Sequence, residues 1–163
     1  MSESYSVRVA KAEHVFSAAH FITFDGKCER LHGHNYHVSA EIFGRLNQDQ
    51  LVVDFLAIRD ELRNITTELD HYVLLPTVHK AIQVEASGDQ VTATFEDRQW
   101  VFPRGDCRLL EVENTTAELL ATYIGRRLRT ALNLRCGIDD ASLRVEVDEC
   151  DGQIGIWHWN PPA

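Results

Sequence analysis

An antiparallel α+β domain is predicted for these 163 residues by three observations. β-Rich runs stand at both ends of the chain, over 5–20, 34–45 and 142–159. Between them, 54–69 and 115–132 carry apolar residues at intervals of three and four, the spacing of an amphipathic helix. A separate β stretch over 79–103 lies between the helices, so the order is strand, strand, helix, β insert, helix, strand, strand. No internal repeat or low-complexity linker interrupts it, and a single domain is expected over 1–163.

The first run, 5–20, reads as one strand through Tyr5, Val7 and Val9, then Val15-Phe16. FITFDGKCERLHG follows as a loop rich in turn formers and charge, before the second strand HNYHVSAEIFGR. Asp54 is placed to cap a helix whose stripe is Phe55, Ile58, Leu62, Ile65 and Leu69. In the β insert, Ser87-Gly88-Asp89 and Glu96-Asp97-Arg98 supply the turns. Thr115 or Thr116 caps the second helix, with Leu119, Leu120, Tyr123, Ile124, Leu128 and Leu132 as its apolar face. Glu118 falls in its first turn, where the helix dipole favours an acid. SLRVEVDE and QIGIWHW close the chain as a hairpin turning at Cys150-Asp151-Gly152.

Composition bounds the function. A hydrophobic fraction of 44% and a charged fraction of 25% are those of a soluble globular protein, large enough to form a core without disulfides. The opening MSESYSVRVAKAEHVF has no long apolar run, so neither a signal peptide nor a membrane span is expected, and a cytoplasmic location follows. A net charge of −9 argues against nucleic acid as partner. Cys28, Cys107, Cys136 and Cys150 form no C-x-x-C pair and are expected reduced. The last three read as small apolar residues in or near the core.

His32-Gly33-His34 is the sharpest local feature. Residues i and i+2 of an extended segment share a face, so both imidazoles can converge on one ion. His20, at the end of the preceding β run, comes alongside if the two strands pair. Three neutral imidazoles make an open zinc site with a fourth place for water or substrate; the plainer reading is three ordinary polar histidines. His37 falls on the opposite face, and His14 lies roughly 20 Å from His20 along the strand. Both are expected to be structural or surface residues.

Cys28 stands four residues before His32. Beside Lys27, Arg30 and a zinc ion its thiol pKa would fall, making it a base or nucleophile. The alternatives are a buried loop cysteine, or a fourth ligand closing a structural site. Asp70-His71 directly follows the first helix and reads either as a carboxylate-supported imidazole or as a helix-end turn. Glu149 is either a buried acceptor for a guanidine-like heterocycle edge or a strand-end charge in water.

Taken together, FSAAH at 16–20, C-x3-HGHNY at 28–36, VVDF at 52–55, LDH at 69–71, TAE at 116–118 and VDE at 147–149 resemble the 6-pyruvoyltetrahydropterin synthase / 6-carboxytetrahydropterin synthase family. The pieces span nearly the whole chain in family order. The resemblance implies the tunnelling fold, an antiparallel sheet with two helices packed on one face. It further implies a trimer-based homo-oligomer, commonly a hexamer, with active sites at subunit interfaces. By motif matching it makes His20, His32 and His34 the Zn2+ ligands and Cys28 the catalytic base. Asp70 and His71 match the pair assisting proton transfer, Glu149 the pterin anchor, and Thr116 with Glu118 the lining of the pterin pocket.

The short C-x3-H-G-H gap resembles members that make 6-carboxytetrahydropterin. Such members turn 7,8-dihydroneopterin triphosphate into 6-carboxy-5,6,7,8-tetrahydropterin, acetaldehyde and triphosphate, for queuosine and deazapurine synthesis. Pyruvoyl synthases carry a longer gap. A third subgroup, with glutamate in place of the cysteine, serves folate synthesis by an aldolase-like cleavage; Glu29 sits beside Cys28 here. A non-catalytic pterin- or zinc-binding assembly protein is the remaining alternative. The anionic substrate would need a local cluster of cations, such as Lys27 and Arg30 with Arg8 or Lys11. Residues 76–111 exceed the compact link the family implies, and an inserted β hairpin is expected there.

Overall fold

The computed structural model describes residues 3–162. The expected strand over 5–20 is two, β1 (Tyr5–Val9) and β2 (Val15–His20). They are separated by a turn in which the His14 N–H donates to the Lys11 carbonyl at 3.0 Å. β3 (Thr23–Phe24) and β4 (Lys27–Cys28) form a small hairpin inside the expected loop. β5 (His32–Gly44) is the long central strand. β2 pairs antiparallel with its first half and β1 with its second. The Val38 N–H donates to the His14 carbonyl at 2.8 Å, so the partner strand runs on past the interruption.

Asp54 caps α1 (Phe55–Leu69) through the Leu56 N–H, as its position in the sequence predicts. β6 (Tyr72–Pro76) then lies parallel to β2. The insert gains a third strand over the expected hairpin: β7 (Gln83–Ser87), β8 (Gln90–Phe95) and β9 (Arg98–Pro103) form a separate antiparallel meander. It turns at Gly88-Asp89 and Glu96-Asp97, the anticipated places. β10 (Cys107–Leu110) adds in parallel to β6. α2 (Ala117–Cys136) is capped by Thr116 and stopped by Gly137 in the left-handed conformation (φ 65°). β11 (Ser142–Cys150) and β12 (Gln153–Trp159) complete the sheet on the other side of β5.

The main sheet has the order β10-β6-β2-β5-β11-β12. It is antiparallel from β2 to β12 and parallel only at its β6 and β10 edge, where α1 and the meander supply long crossovers. Period-two alternation sends Tyr36, Val38, Ala40 and Ile42 of β5 and Leu143, Val145 and Val147 of β11 to one face. There they bury against Ile58, Leu62 and Ile65 of α1 and Leu120, Ile124 and Leu128 of α2. Both helices therefore cover the same side. A second core joins Phe21, Leu75 and Cys107 to Val91, Ala93 and Phe95 of the meander. Cys107 is buried as expected, but Cys136 and Cys150 are exposed, at the end of α2 and at the last hairpin turn. No helix is long and apolar enough to cross a membrane among the described residues.

Candidate active site

The strand register makes the centre. His20 is the cross-strand partner of His32, and Ala18 that of His34, so the three imidazoles sit at one end of the helix-covered face. Their ligand atoms lie within 4.8 Å of one another. His37 projects to the other face, as its parity requires. His14 is fully buried in the turn between β1 and β2, away from this cluster.

Backbone carbonyls fix which ring nitrogens face inward. His20 Nδ1 lies 2.9 Å from the Thr115 carbonyl and His32 Nδ1 2.7 Å from the Arg30 carbonyl. A carbonyl only accepts, so both Nδ1 atoms carry the proton and both Nε2 lone pairs are left for a cation. His20 is 1% exposed. Burial drives its pKa down to about 4; the Thr115 carbonyl opposes this, and the charges of His32 and His34 add to it. The ring is therefore neutral at physiological pH, the state a metal needs. Donor chemistry, tautomers and spacing all fit a divalent cation.

Glu149 lies beside this trio, at the irregular end of β11. Its Oε1 is 3.5 Å from His20 Nε2, 3.9 Å from His34 Nε2 and 3.3 Å from the Tyr36 hydroxyl. Tyr36 is fully buried, and its hydroxyl also reaches His20 Nε2 at 3.0 Å. One hydroxyl hydrogen cannot serve both acceptors, so occupation of His20 Nε2 by a cation releases it to Glu149.

Asp70 and His71 are in contact, with Asp70 Oδ2 2.9 Å from His71 Nδ1. The Ser17 N–H donates to Asp70 Oδ1 at 2.7 Å, and the His71 N–H to the Ser17 carbonyl at 2.7 Å. Burial works to raise the Asp70 carboxyl, but the Ser17 N–H and His71 outweigh it and hold it below its ordinary value. His71 adopts φ 62° and its side chain is 81% exposed, over a groove lined by Ser17, Asn35 and Asp106.

Cys28 ends β4, and its side chain packs against the meander core. Burial pushes its thiol up; Arg98 of β9 opposes this and Glu29 adds to it. The expected depression by Lys27 and Arg30 is not what the fold provides: the cation acting on the thiol comes from the insert. Glu29 Oε2 lies 3.8 Å from His32 Nε2. Arg8 is spent elsewhere, paired with Glu146 at 2.6 Å on the uncovered sheet face. Thr116 and Glu118 open α2, where Gly155 of β12 crosses so closely that a Cβ would lie 2.3 Å from the Ala117 carbonyl carbon.

Residues 9–156 match the family described as 6-pyruvoyl tetrahydropterin synthase. The chain belongs to that family. A Methanocaldococcus jannaschii protein, provisionally named 6-carboxy-5,6,7,8-tetrahydropterin synthase, is 31% identical over 140 residues, 85% of each chain. The Plasmodium vivax 6-pyruvoyl tetrahydropterin synthase superposes with a TM-score of 0.90 at 29% identity, covering 98% of this chain and 99% of that one. The same Plasmodium vivax enzyme has been solved with a catalytic glutamate replaced by alanine, again at TM-score 0.90, with 28% identity and 98% and 99% coverage. Membership makes this a pterin synthase-type enzyme with a histidine cluster that could hold a metal.

The neutral state of His20 has a thermodynamic consequence. Its folded pKa of about 4 lies below the unfolded value of 6.5, so the unfolded chain takes up a proton first as pH falls. Stability of the metal-free protein is therefore expected to drop between pH 6.5 and 4 and level off below, by about 3 kcal/mol from this residue. Buried His14, also shifted down by burial, acts with the same sign. Urea midpoints for wild type and His20→Asn should diverge less as pH falls; parallel curves would refute the assignment.

Proposed function

We propose that this chain converts 7,8-dihydroneopterin triphosphate to 6-carboxy-5,6,7,8-tetrahydropterin, releasing acetaldehyde and triphosphate, with zinc as cofactor and in service of queuosine and deazapurine synthesis. The reading is carried by the convergence of His20, His32 and His34 beside Glu149, with Cys28 four residues upstream. The short Cys28-to-His32 spacing and the name of the Methanocaldococcus jannaschii relative support the carboxy product over the pyruvoyl one.

Held by the His20, His32 and His34 imidazoles, zinc would act as a Lewis acid on the oxygens of the substrate side chain. Glu149 accepts hydrogen bonds from the pterin's amino-pyrimidine edge, while the Tyr36 hydroxyl orients its carboxylate. Thr116 and Glu118, at the start of α2, would line the pterin pocket. Cys28 removes the side-chain proton, and His71, held in place by Asp70, returns it. His71 is turned out to solvent, and Arg98 and Glu29, not His71, are the charges acting on the Cys28 thiol. The relay therefore works between neighbouring copies, His71 of one serving Cys28 of the next, in a trimer-based assembly that stacks into a hexamer.

Incubation with dihydroneopterin triphosphate and mass spectrometry of the products tests this: acetaldehyde with 6-carboxytetrahydropterin is expected. A saturable pterin complex with no consumption of substrate would instead mark a binding protein. Cys28→Ala is expected to keep its zinc and lose turnover by about a thousandfold; loss of both would move the thiol into the ligand shell.

A second reading has its own observation. The Glu29 carboxylate stands 3.8 Å from His32 Nε2, whereas the Cys28 thiol is packed into the insert core and pushed up by burial. The superposable Plasmodium vivax enzyme has a catalytic glutamate. With Glu29 as base, the side chain would be cleaved in the aldolase-like manner of the glutamate subgroup that serves folate synthesis. Glu29→Gln then abolishes turnover and Cys28→Ala does not, the reverse of the first reading.

A further inference from the structure

The loop that carries Cys28 and Glu29 is held from two sides. Thr23, the cross-strand partner of Cys28, is fixed by residues outside the meander. His79 Nδ1 accepts from the Ala81 and Ile82 N–H groups at 2.9 and 2.8 Å, so its Nε2 carries the hydrogen donated to Thr23 Oγ1 at 2.7 Å. Asn114 donates to the Thr23 carbonyl at 3.1 Å.

The opposite side is held by one residue of the meander. Arg98 donates from Nη1 to the Cys28 carbonyl at 2.6 Å and from Nη2 to the Glu29 carbonyl at 3.2 Å. Two successive carbonyls taken by the two arms of a guanidinium is a geometry that lysine does not reproduce. The guanidinium also lies 4.5 Å from the centre of the Trp100 ring. Trp100 stacks on Phe21 at 4.5 Å and 20° between planes, and buried Phe21 directly follows His20. Packing alone would account for the stacked aromatics. It does not account for a charged group spent on the backbone of both candidate bases.

We propose that Arg98 is a positioning residue for the chemistry of this site, the meander acting as a brace that fixes the Cys28–Glu29 backbone relative to the three histidines. The inference rests on the proposed function and gives the insert a part in it, whichever of the two side chains is the base. The brace works through main-chain carbonyls and takes no hydrogen bond from either side chain.

Hydrogen exchange and steady-state kinetics on Arg98→Met and Arg98→Lys test it. In Arg98→Met, exchange over 22–31 is expected to quicken at least about tenfold while α2 stays protected. Its kcat should fall about tenfold or more with KM little changed, and zinc content should hold. Arg98→Lys, which keeps the charge and can donate to a carbonyl, should recover part of both effects. Wild-type exchange over 22–31 in Arg98→Met, or a loss confined to KM, overturns the proposal. If Arg98→Met does not fold, Arg98→Lys decides alone: unchanged exchange over 22–31 overturns the brace. Exchange needs no substrate, so a wild-type protein that turns nothing over would sink the proposed function and still leave the brace to be judged.

Discussion

Alanine in place of His32 is expected to strip the metal and lower turnover by about a thousandfold or more, the loss of a Lewis acid worth several kcal/mol. His32 is the best of the three candidate ligands for this test. It is half-exposed at the start of β5, and its side chain gives up one hydrogen bond, to the Arg30 carbonyl. His20 is 1% exposed and bonded to Thr115, so its removal would confound metal loss with unfolding. The measurement is zinc per chain by elemental mass spectrometry after dialysis, alongside turnover and a thermal melt. Zinc at full occupancy with wild-type turnover would take His32 out of the ligand set.

The second large effect is on stability. Gly155→Ala would put a Cβ 2.3 Å from the Ala117 carbonyl carbon, 2.4 Å from the Glu118 nitrogen and 2.7 Å from the Ala117 oxygen. These are main-chain atoms in the first turn of a capped helix, which cannot step aside as a side chain can. β12 and α2 must separate, at a cost of about 3 kcal/mol, or roughly 10 °C in melting temperature for a chain of this size. The opening lies at Thr116 and Glu118, so on the proposed function KM for the pterin should rise as well. Gly125→Ala meets a side chain instead: its Cβ would lie 2.1, 2.5 and 2.9 Å from three atoms of the Trp157 ring, which packs against the main core, so this substitution is expected to destabilise as well although alanine itself favours a helix. Equal melting temperatures for Gly155→Ala and wild type would show that the strand–helix approach is slack.

Much of this site is legible in the linear chain because it is built from periodicities. H-x-H on a strand places two rings on one face. Asp54 and Thr116 stand where caps should, and Gly88-Asp89 and Glu96-Asp97 turn where turn formers cluster. What escapes is what works through the main chain. Thr115 matters for its carbonyl, which sets the His20 tautomer, and a carbonyl leaves no trace in residue type. Arg98 also acts on carbonyls, 70 and 69 residues away. The strands Tyr72–Pro76 and Cys107–Leu110 are short, parallel and buried, so they lack the alternation that marks a half-exposed strand. The break between β1 and β2 is hidden because β5 runs past it unbroken.

Position 71 sets folding against chemistry. A histidine at φ 62° holds a backbone shape that glycine adopts at little cost, and its ring, facing water, contributes almost no packing in return. Directed evolution that ranks variants by heat tolerance alone would thus be drawn to glycine there, and would discard the proposed proton relay. Libraries built on this scaffold need a turnover screen at that codon.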